Sequence, residues 1–301
     1  MRSYVKQYLE YCECRKRLDG NTMKAYRIDL RQFFEEAAVE EPGKAEIETY
    51  ISRLHRKYKQ KTVKRKIASV KAFYHYLEEE ELMEQNPFRK IRAHFQEENR
   101  LPRIIPREEI ERLLNFMYTE LRGQPRDRGG EMLRDICVLE VFFATGARVY
   151  EISNLRADGI DLDTGVMRIM GKGGKERYVQ IGPDSVLDLL RNYFHENEGK
   201  IRKCGNFFVN RQGERFSEQS IRQMLKRYGR LAGIERNITP HMFRHSFATY
   251  LIEEGLDVSC VQQILGHSSI RTTQIYIHVA AGRQAELLRK FHPRNRMCIG
   301  G

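Results

Sequence analysis

Apolar residues recur at three- and four-residue spacing along almost the whole chain, and this periodicity breaks in two places. Such spacing lays an apolar stripe along one side of an α-helix. The first break is residues 97–106, EENRLPRIIP, which hold two prolines and no period. The second is residues 159–182, GIDLDTGVMRIMGKGGKERYVQIG, where Asp163-Thr164-Gly165 and the glycines at 171–174 separate short apolar stretches. Strands joined by tight turns fit that pattern and helices do not. The chain is therefore expected to be mainly α, with one small antiparallel β-sheet in its C-terminal domain. The breaks divide it into a helical domain at 1–96, a linker at 97–106, a second domain at 107–290 and a tail at 291–301.

Four helices are expected in the first domain. Tyr4, Val5, Tyr8, Leu9 and Cys12 mark the first, and Tyr26, Leu30, Phe33 and Phe34 the second, with an N-cap at Asn21-Thr22. Ile47, Ile51 and Leu54 mark the third. Val63, Ile67, Val70, Phe73, Tyr74 and Leu77 mark the fourth, and Asn86-Pro87 ends the unit. In the second domain helices are expected at 107–121, 131–145, 183–197, 217–232, 240–254, 257–265, 269–279 and 282–290. The polar stretch RGQPRDRGG, residues 122–130, separates the first two and has no assigned role.

The 301 residues suffice for two hydrophobic cores. The most apolar stretch, around Val138 to Ala144 with Glu140 inside it, falls far short of the ~20 residues that cross a bilayer, so no membrane partner is expected. Six scattered cysteines without a CxxC pair, and an N-terminus without an apolar core, fit reduced thiols in the cytoplasm. The 53 Lys+Arg against 41 Asp+Glu leave a formal net charge of +12, which suggests a polyanionic partner such as nucleic acid.

Part of that surplus is concentrated. RLHRKYKQKTVKRK, residues 53–66, contains Arg53, Arg56, Lys57, Lys59, Lys61, Lys64, Arg65 and Lys66 and no acidic residue. A charge run is ordinarily a solvated helix face, but such faces mix signs to limit self-repulsion. A one-signed run interleaved with His55 and Tyr58 reads as a contact for the phosphate backbone.

Four clusters in the second domain carry reactive side chains. In ATGARVYEISNL, residues 144–155, Arg148 follows a glycine at a helix end and Glu151 lies three residues on. An arginine there can present a two-pronged fork to phosphate, although read alone the pair is an ordinary surface ion pair. In GKGGKER, Lys172 sits at a glycine-rich hairpin tip, with Lys175 near it; the spacing is not that of a P-loop. In ITPHMFRHSFATYL, residues 238–251, Thr239 and Pro240 open a helix, and His241 and Arg244 share one face. A helix start suits an anion. His241 and His245 also stand at metal-ligand spacing, but Met242 occupies the place where a zinc protease needs glutamate, so no metal is expected and His245 reads as a packing residue. In ILGHSSIRTTQIYIHV, residues 264–279, Gly266 ends a helix, His267 follows it and Tyr276 lies on a further short helix. A lone tyrosine is most often core.

Together the clusters lose their anonymity. Arg148, Lys172, His241-x-x-Arg244, the Leu-Gly-His267 turn and Tyr276 stand in the order and approximate spacing of the tyrosine recombinase family, and the strings resemble its bacterial Xer-type branch. The N-terminal bundle is similar to that family's core-binding domain. Two differences stand out: Gly146-Ala147-Arg148 where the family often has Gly-Leu-Arg, and the long 122–130 segment.

The resemblance implies a two-domain clamp on double-stranded DNA, hinged at 97–106, that cuts and rejoins strands at recombination sites without cofactor or metal. Tyr276 would be the nucleophile, Arg148 and Arg244 the phosphate clamp and Lys172 the general acid. His241 would assist as general base or hydrogen-bond donor near Tyr276 and His267 would bond the phosphate, with Glu151 orienting Arg148 or His267. It also implies a homo-tetramer on two duplexes, or an assembly with a related recombinase subunit, that exchanges C-terminal segments and passes through a Holliday junction. A type IB-like topoisomerase and a catalytically inactive DNA-binding relative are the competing expectations.

Overall fold

A computed structural model describes residues 1–91, 103–123, 126–171 and 176–266, with the backbone alone at 126–129. The chain divides into two compact units, Met1–Arg100 and Leu101–Gly301.

The first unit is a bundle of four helices: α1 (Val5–Cys14), α2 (Gly20–Ala37), α3 (Lys44–Lys57) and α4 (Gln60–Glu79). The stripes read from the sequence meet on its axis, where Tyr8, Leu30, Phe33, Ile47, Leu54, Val63, Phe73 and Tyr74 are buried. Aromatic rings lock the helices edge to face, with Phe33 and Tyr50 at 4.9 Å and Tyr8 and Phe73 at 5.4 Å between centroids. Burying each such ring stabilises the bundle by roughly 1.5–3 kcal/mol before the entropy of ordering it is counted. The N-cap of α2 is Asp19, two residues before the expected Asn21-Thr22. Its carboxylate accepts from both of those backbone N–H groups at 3.1 Å, so Asp19 captures the helix start.

The second unit is helical around one buried helix. It comprises α5 (Arg107–Gly123), α6 (Arg126–Thr145), α7 (Val149–Ser153), α8 (Asp184–Cys204), α9 (Glu218–Leu231), α10 (Pro240–Glu253) and α11 (Val258–Leu265), with a sheet of β1 (Val166–Met170) and β2 (Glu176–Gln180). Residues 132–139 of α6 are buried on every side, with Arg134 and Asp135 paired to each other among them, which is why this segment shows no amphipathic period. It packs against α5, α8 and α10. The two strands pair antiparallel, with Met167 opposite Val179 and Ile169 opposite Arg177. The mainly α architecture with a small antiparallel sheet is the one expected.

Several boundaries moved. α6 begins at Arg126, directly after Pro125, so the expected 122–130 spacer belongs largely to two helix ends. α8 runs to Cys204, two turns beyond the expected end, and stops where Gly205 adopts a left-handed conformation. α7 is too short for a period to show and was not expected. Residues 103–106, assigned to the linker, are part of the second unit instead. Ile105 is fully buried, its N–H donates to Ser246 Oγ at 2.7 Å, and Tyr250 Oη donates to its carbonyl. The rest of the linker, the expected helices 269–279 and 282–290, and the tail 291–301 lie outside the described residues. The five described cysteines are free thiols. No helix among the described residues is long and apolar enough to cross a membrane.

Candidate active site and nucleic-acid interface

The site is built where α6 stops. Gly146 takes a left-handed conformation, φ +59°, that closes the helix, and its N–H donates to Phe142 O at 3.0 Å. The chain turns back through Ala147, and Arg148 caps the start of α7. The Arg148 N–H donates to Glu151 Oε2 at 2.7 Å and its guanidinium Nη1 to Glu151 Oε1 at 2.8 Å. Backbone and side chain of one arginine are thus held by one carboxylate. The Arg148 side chain remains 38% exposed, whereas that of Glu151 is 1% exposed.

α10 supplies the second arginine. Pro240 opens the helix as expected, although Thr239 caps it without a side-chain hydrogen bond. Arg244, buried on its second turn, donates from Nη1 to Gly146 O at 2.8 Å and from Nη2 to Leu265 O at 2.6 Å. One guanidinium therefore ties the turn before Arg148 to the end of α11. His241 stands exposed one helical turn before Arg244, and His245 is half-buried just after it. Burial holds the His245 imidazole below its ordinary pKa, and the charges of His241 and Arg244 push the same way. Among the described residues no cluster of three His, Cys, Asp or Glu side chains could hold a metal ion.

A third arginine joins this network, and sequence reasoning did not single it out. Arg177 on β2 faces the Glu151 carboxylate as a two-pronged fork, Nη1 to Oε1 at 2.8 Å and Nη2 to Oε2 at 2.7 Å, and gives its Nε to Ile264 O at 3.0 Å. Burial alone would push the Glu151 carboxyl up. The Arg177 guanidinium, with the N–H and guanidinium of Arg148, outweighs that and leaves it below the usual carboxylate range. Gly266 turns left-handed beside Arg177, where a Cβ would approach Arg177 Cδ to 2.9 Å.

Arg148, Glu151 and Arg244 thus meet around the Gly146 turn, with His241 on the first turn of the same helix as Arg244. Lys172, His267 and Tyr276 lie outside the described residues.

The basic run is in the first unit, across the α3–α4 turn. Arg53, Arg56, Lys57, Lys59, Lys61, Lys64 and Arg65 are exposed. Lys57 lies over the Tyr58 ring at 5.5 Å. α4 starts with Lys59 as its cap and no acidic residue in its first turn, so its dipole adds to the positive charge of the side chains. Lys66 is the correction to the expected contact set. It is 3% exposed and bonds the fully buried Asp29 at 3.1 Å and also Gln32. An ammonium committed to a buried carboxylate is part of the core. Arg65 also reaches Asp29, and Ser69 Oγ donates to it at 2.9 Å.

Two regions of the chain match known families, one for each unit. Residues 5–81 match the phage integrase N-terminal SAM-like domain, and residues 103–283 match the phage integrase family itself. The chain belongs to this family of tyrosine recombinases. A tyrosine recombinase from Agathobacter rectalis is 45% identical over 298 residues, covering 98% of this chain and 97% of the relative. Tyrosine recombinase XerD of Listeria monocytogenes is 35% identical over 306 residues, covering 98% of this chain and all of that protein. A crystal structure of XerH site-specific recombinase bound to a palindromic difH substrate, a post-cleavage complex, shares the fold at a TM-score of 0.75 and 22% identity, covering 96% of this chain and 85% of that one. The recombinase is thus of the Xer-like kind expected from its motifs, and these relatives are named recombinases where the competing expectation was a topoisomerase.

Proposed function

We propose that the recombinase cuts and rejoins double-stranded DNA through a 3′-phosphotyrosyl link to Tyr276. The tyrosine oxygen attacks the scissile phosphorus in line. The P–O5′ bond breaks and a free 5′-hydroxyl leaves. Arg148 and Arg244 hold the non-bridging oxygens as negative charge gathers on them. Lys172 gives a proton to the departing 5′-oxygen, and His241 and His267 assist at the tyrosine and the phosphate. The link keeps the energy of the phosphodiester, so a 5′-hydroxyl from a second strand restores it by the reverse attack.

The observation that carries this reading is the bond from Arg244 Nη1 to Gly146 O, two residues before Arg148. It brings two guanidiniums distant in sequence to one turn, as a doubly charged phosphate intermediate requires. Exchanging strands between two duplexes in this way opens four phosphodiesters in turn, through a Holliday junction. One tyrosine for each gives a tetramer of this chain, or an assembly with a related recombinase subunit, with C-terminal segments exchanged between neighbours. The exposed basic residues between 53 and 65 bind the DNA backbone. The protein acts in the cytoplasm, where its DNA is found and its thiols stay reduced.

Covalent capture tests the reading. Tyr276→Phe is expected to abolish the SDS-resistant adduct on nicked suicide duplexes while leaving DNA affinity unchanged. An adduct formed by the phenylalanine variant would move the nucleophile elsewhere.

A further inference from the structure

We infer that Arg177 is a positioning residue for strand cleavage, which acts through Glu151 on the Arg148 guanidinium and through the main chain of α11 on the turn before His267. The inference rests on the recombinase reading above.

Its place in the sheet is the first argument. Arg177 lies opposite Ile169, on the face where Met167, Ile169 and Val179 are buried. The alternation of β2 calls for an apolar residue there. A guanidinium 11% exposed at such a position is costly unless its donors are all placed. Here three nitrogens are used, two on Glu151 and one on Ile264 O.

Charge is the second. Glu151 with Arg148 alone would form a neutral pair, and a neutral pair has little to offer a phosphate. Arg177 binds both carboxylate oxygens, so the three groups carry a net positive charge, and the only one of them substantially exposed is Arg148. The buried arginine leaves the exposed one its charge. It also fixes the rotamer, because Glu151 Oε1 accepts from Arg148 Nη1 and Arg177 Nη1 together, both at 2.8 Å.

The end of α11 is the third. The last carbonyls of a helix have no partner within it. Arg177 takes that of Ile264 and Arg244 takes that of Leu265, so two arginines of one network hold the helix end that leads into Gly266. Lysine would keep the charge but could not bridge two carboxylate oxygens and a carbonyl at once.

The test uses the full chain and a suicide duplex selected from a randomised pool by covalent capture on the native protein. Single-turnover cleavage at saturating DNA and the dissociation constant are measured for native protein, R177K, R177Q, E151Q and the R177Q/E151Q double variant. Displacing a phosphate-binding group by about an ångström costs on the order of 100-fold in rate, so R177K and R177Q are expected to cleave roughly 100 times more slowly with affinity within about twofold. In the E151Q background R177Q is expected to cost at least about tenfold less than in the native background, because the path to Arg148 is already cut and only the grip on Ile264 O remains to be lost. Cleavage by R177K at the native rate, an equal cost of R177Q in both backgrounds, or loss of DNA binding along with cleavage would each overturn the inference. A native protein that captures no duplex would instead overturn the recombinase reading itself.

Discussion

Replacing Gly146 with alanine tests the turn on which the site is built. The cost has two parts. Alanine in the left-handed region costs about 1–2 kcal/mol, and Gly146 has φ +59°. Its Cβ would also lie 2.5 Å from Phe247 Cδ1 and 2.8 Å from Leu265 Cδ2. Overpacking of this kind costs about 1–3 kcal/mol, so the sum is about 2–5 kcal/mol. Gly233 provides the control. It has φ +69° but nothing within 4 Å of its would-be Cβ, so Gly233→Ala carries the first part alone. Scanning calorimetry of the full chain separates the two. At ~2–4 °C per kcal/mol for a unit of this size, the transition of Gly146→Ala should fall ~2–12 °C below that of Gly233→Ala. Coincident transitions would refute the crowding argument, since the backbone strain is shared. Gly146 O also holds Arg244, so covalent capture by Gly146→Ala should drop even at temperatures where the fold persists.

Three further outcomes follow from the same geometry. Asp29→Ala strands the buried Lys66 ammonium and should destabilise the first unit by about 3–5 kcal/mol, whereas Asp29→Leu with Lys66→Met should recover most of that loss in thermal unfolding. Glu151 has a lowered folded pKa, so its stabilisation is complete above its ordinary value of 4.5 and is lost as pH falls through the lowered one. Glu151→Gln should therefore flatten the acid limb of stability against pH, and an unchanged limb would remove Glu151 as its source. Neutralising Arg56, Lys57 and Lys61 should weaken binding to every DNA sequence and reduce the slope of log affinity against log salt by about 0.9 for each phosphate left without its cation. An unchanged slope would take the α3–α4 turn out of the DNA interface.

What could be read in the sequence was what repeats or clusters locally. Long helices announce themselves through several turns of apolar spacing, and the sheet through its glycine-punctuated turns. α7 escaped because five residues hold little more than one turn, and α6 started early because the backbone after Pro125 was free to enter the helix. At the site, Arg148, Glu151 and Arg244 were legible because each lies in a motif with its own local cue. Arg177 was not, although it stands at the end of the GKGGKER string. Its partner Glu151 is 26 residues away, and nothing in the strand says that a charge points inward. The one cue is its phase, a charged residue in step with Val179 and not with Tyr178. Lys66 misled for the same reason in reverse. In a run of like charges, the member that folds inward is identified only by Asp29, 37 residues earlier.

The grip on α11 has a consequence for how this recombinase can drift in sequence. Arg177 and Arg244 hold that helix by the carbonyls of Ile264 and Leu265, atoms every amino acid brings. A codon change at 264 alters a side chain and leaves the acceptor in place. The information in this contact is thus stored on one side only, in the two arginines. The helix that leads towards His267 can vary in chemical character while it is still addressed, through its main chain, by the same two guanidiniums.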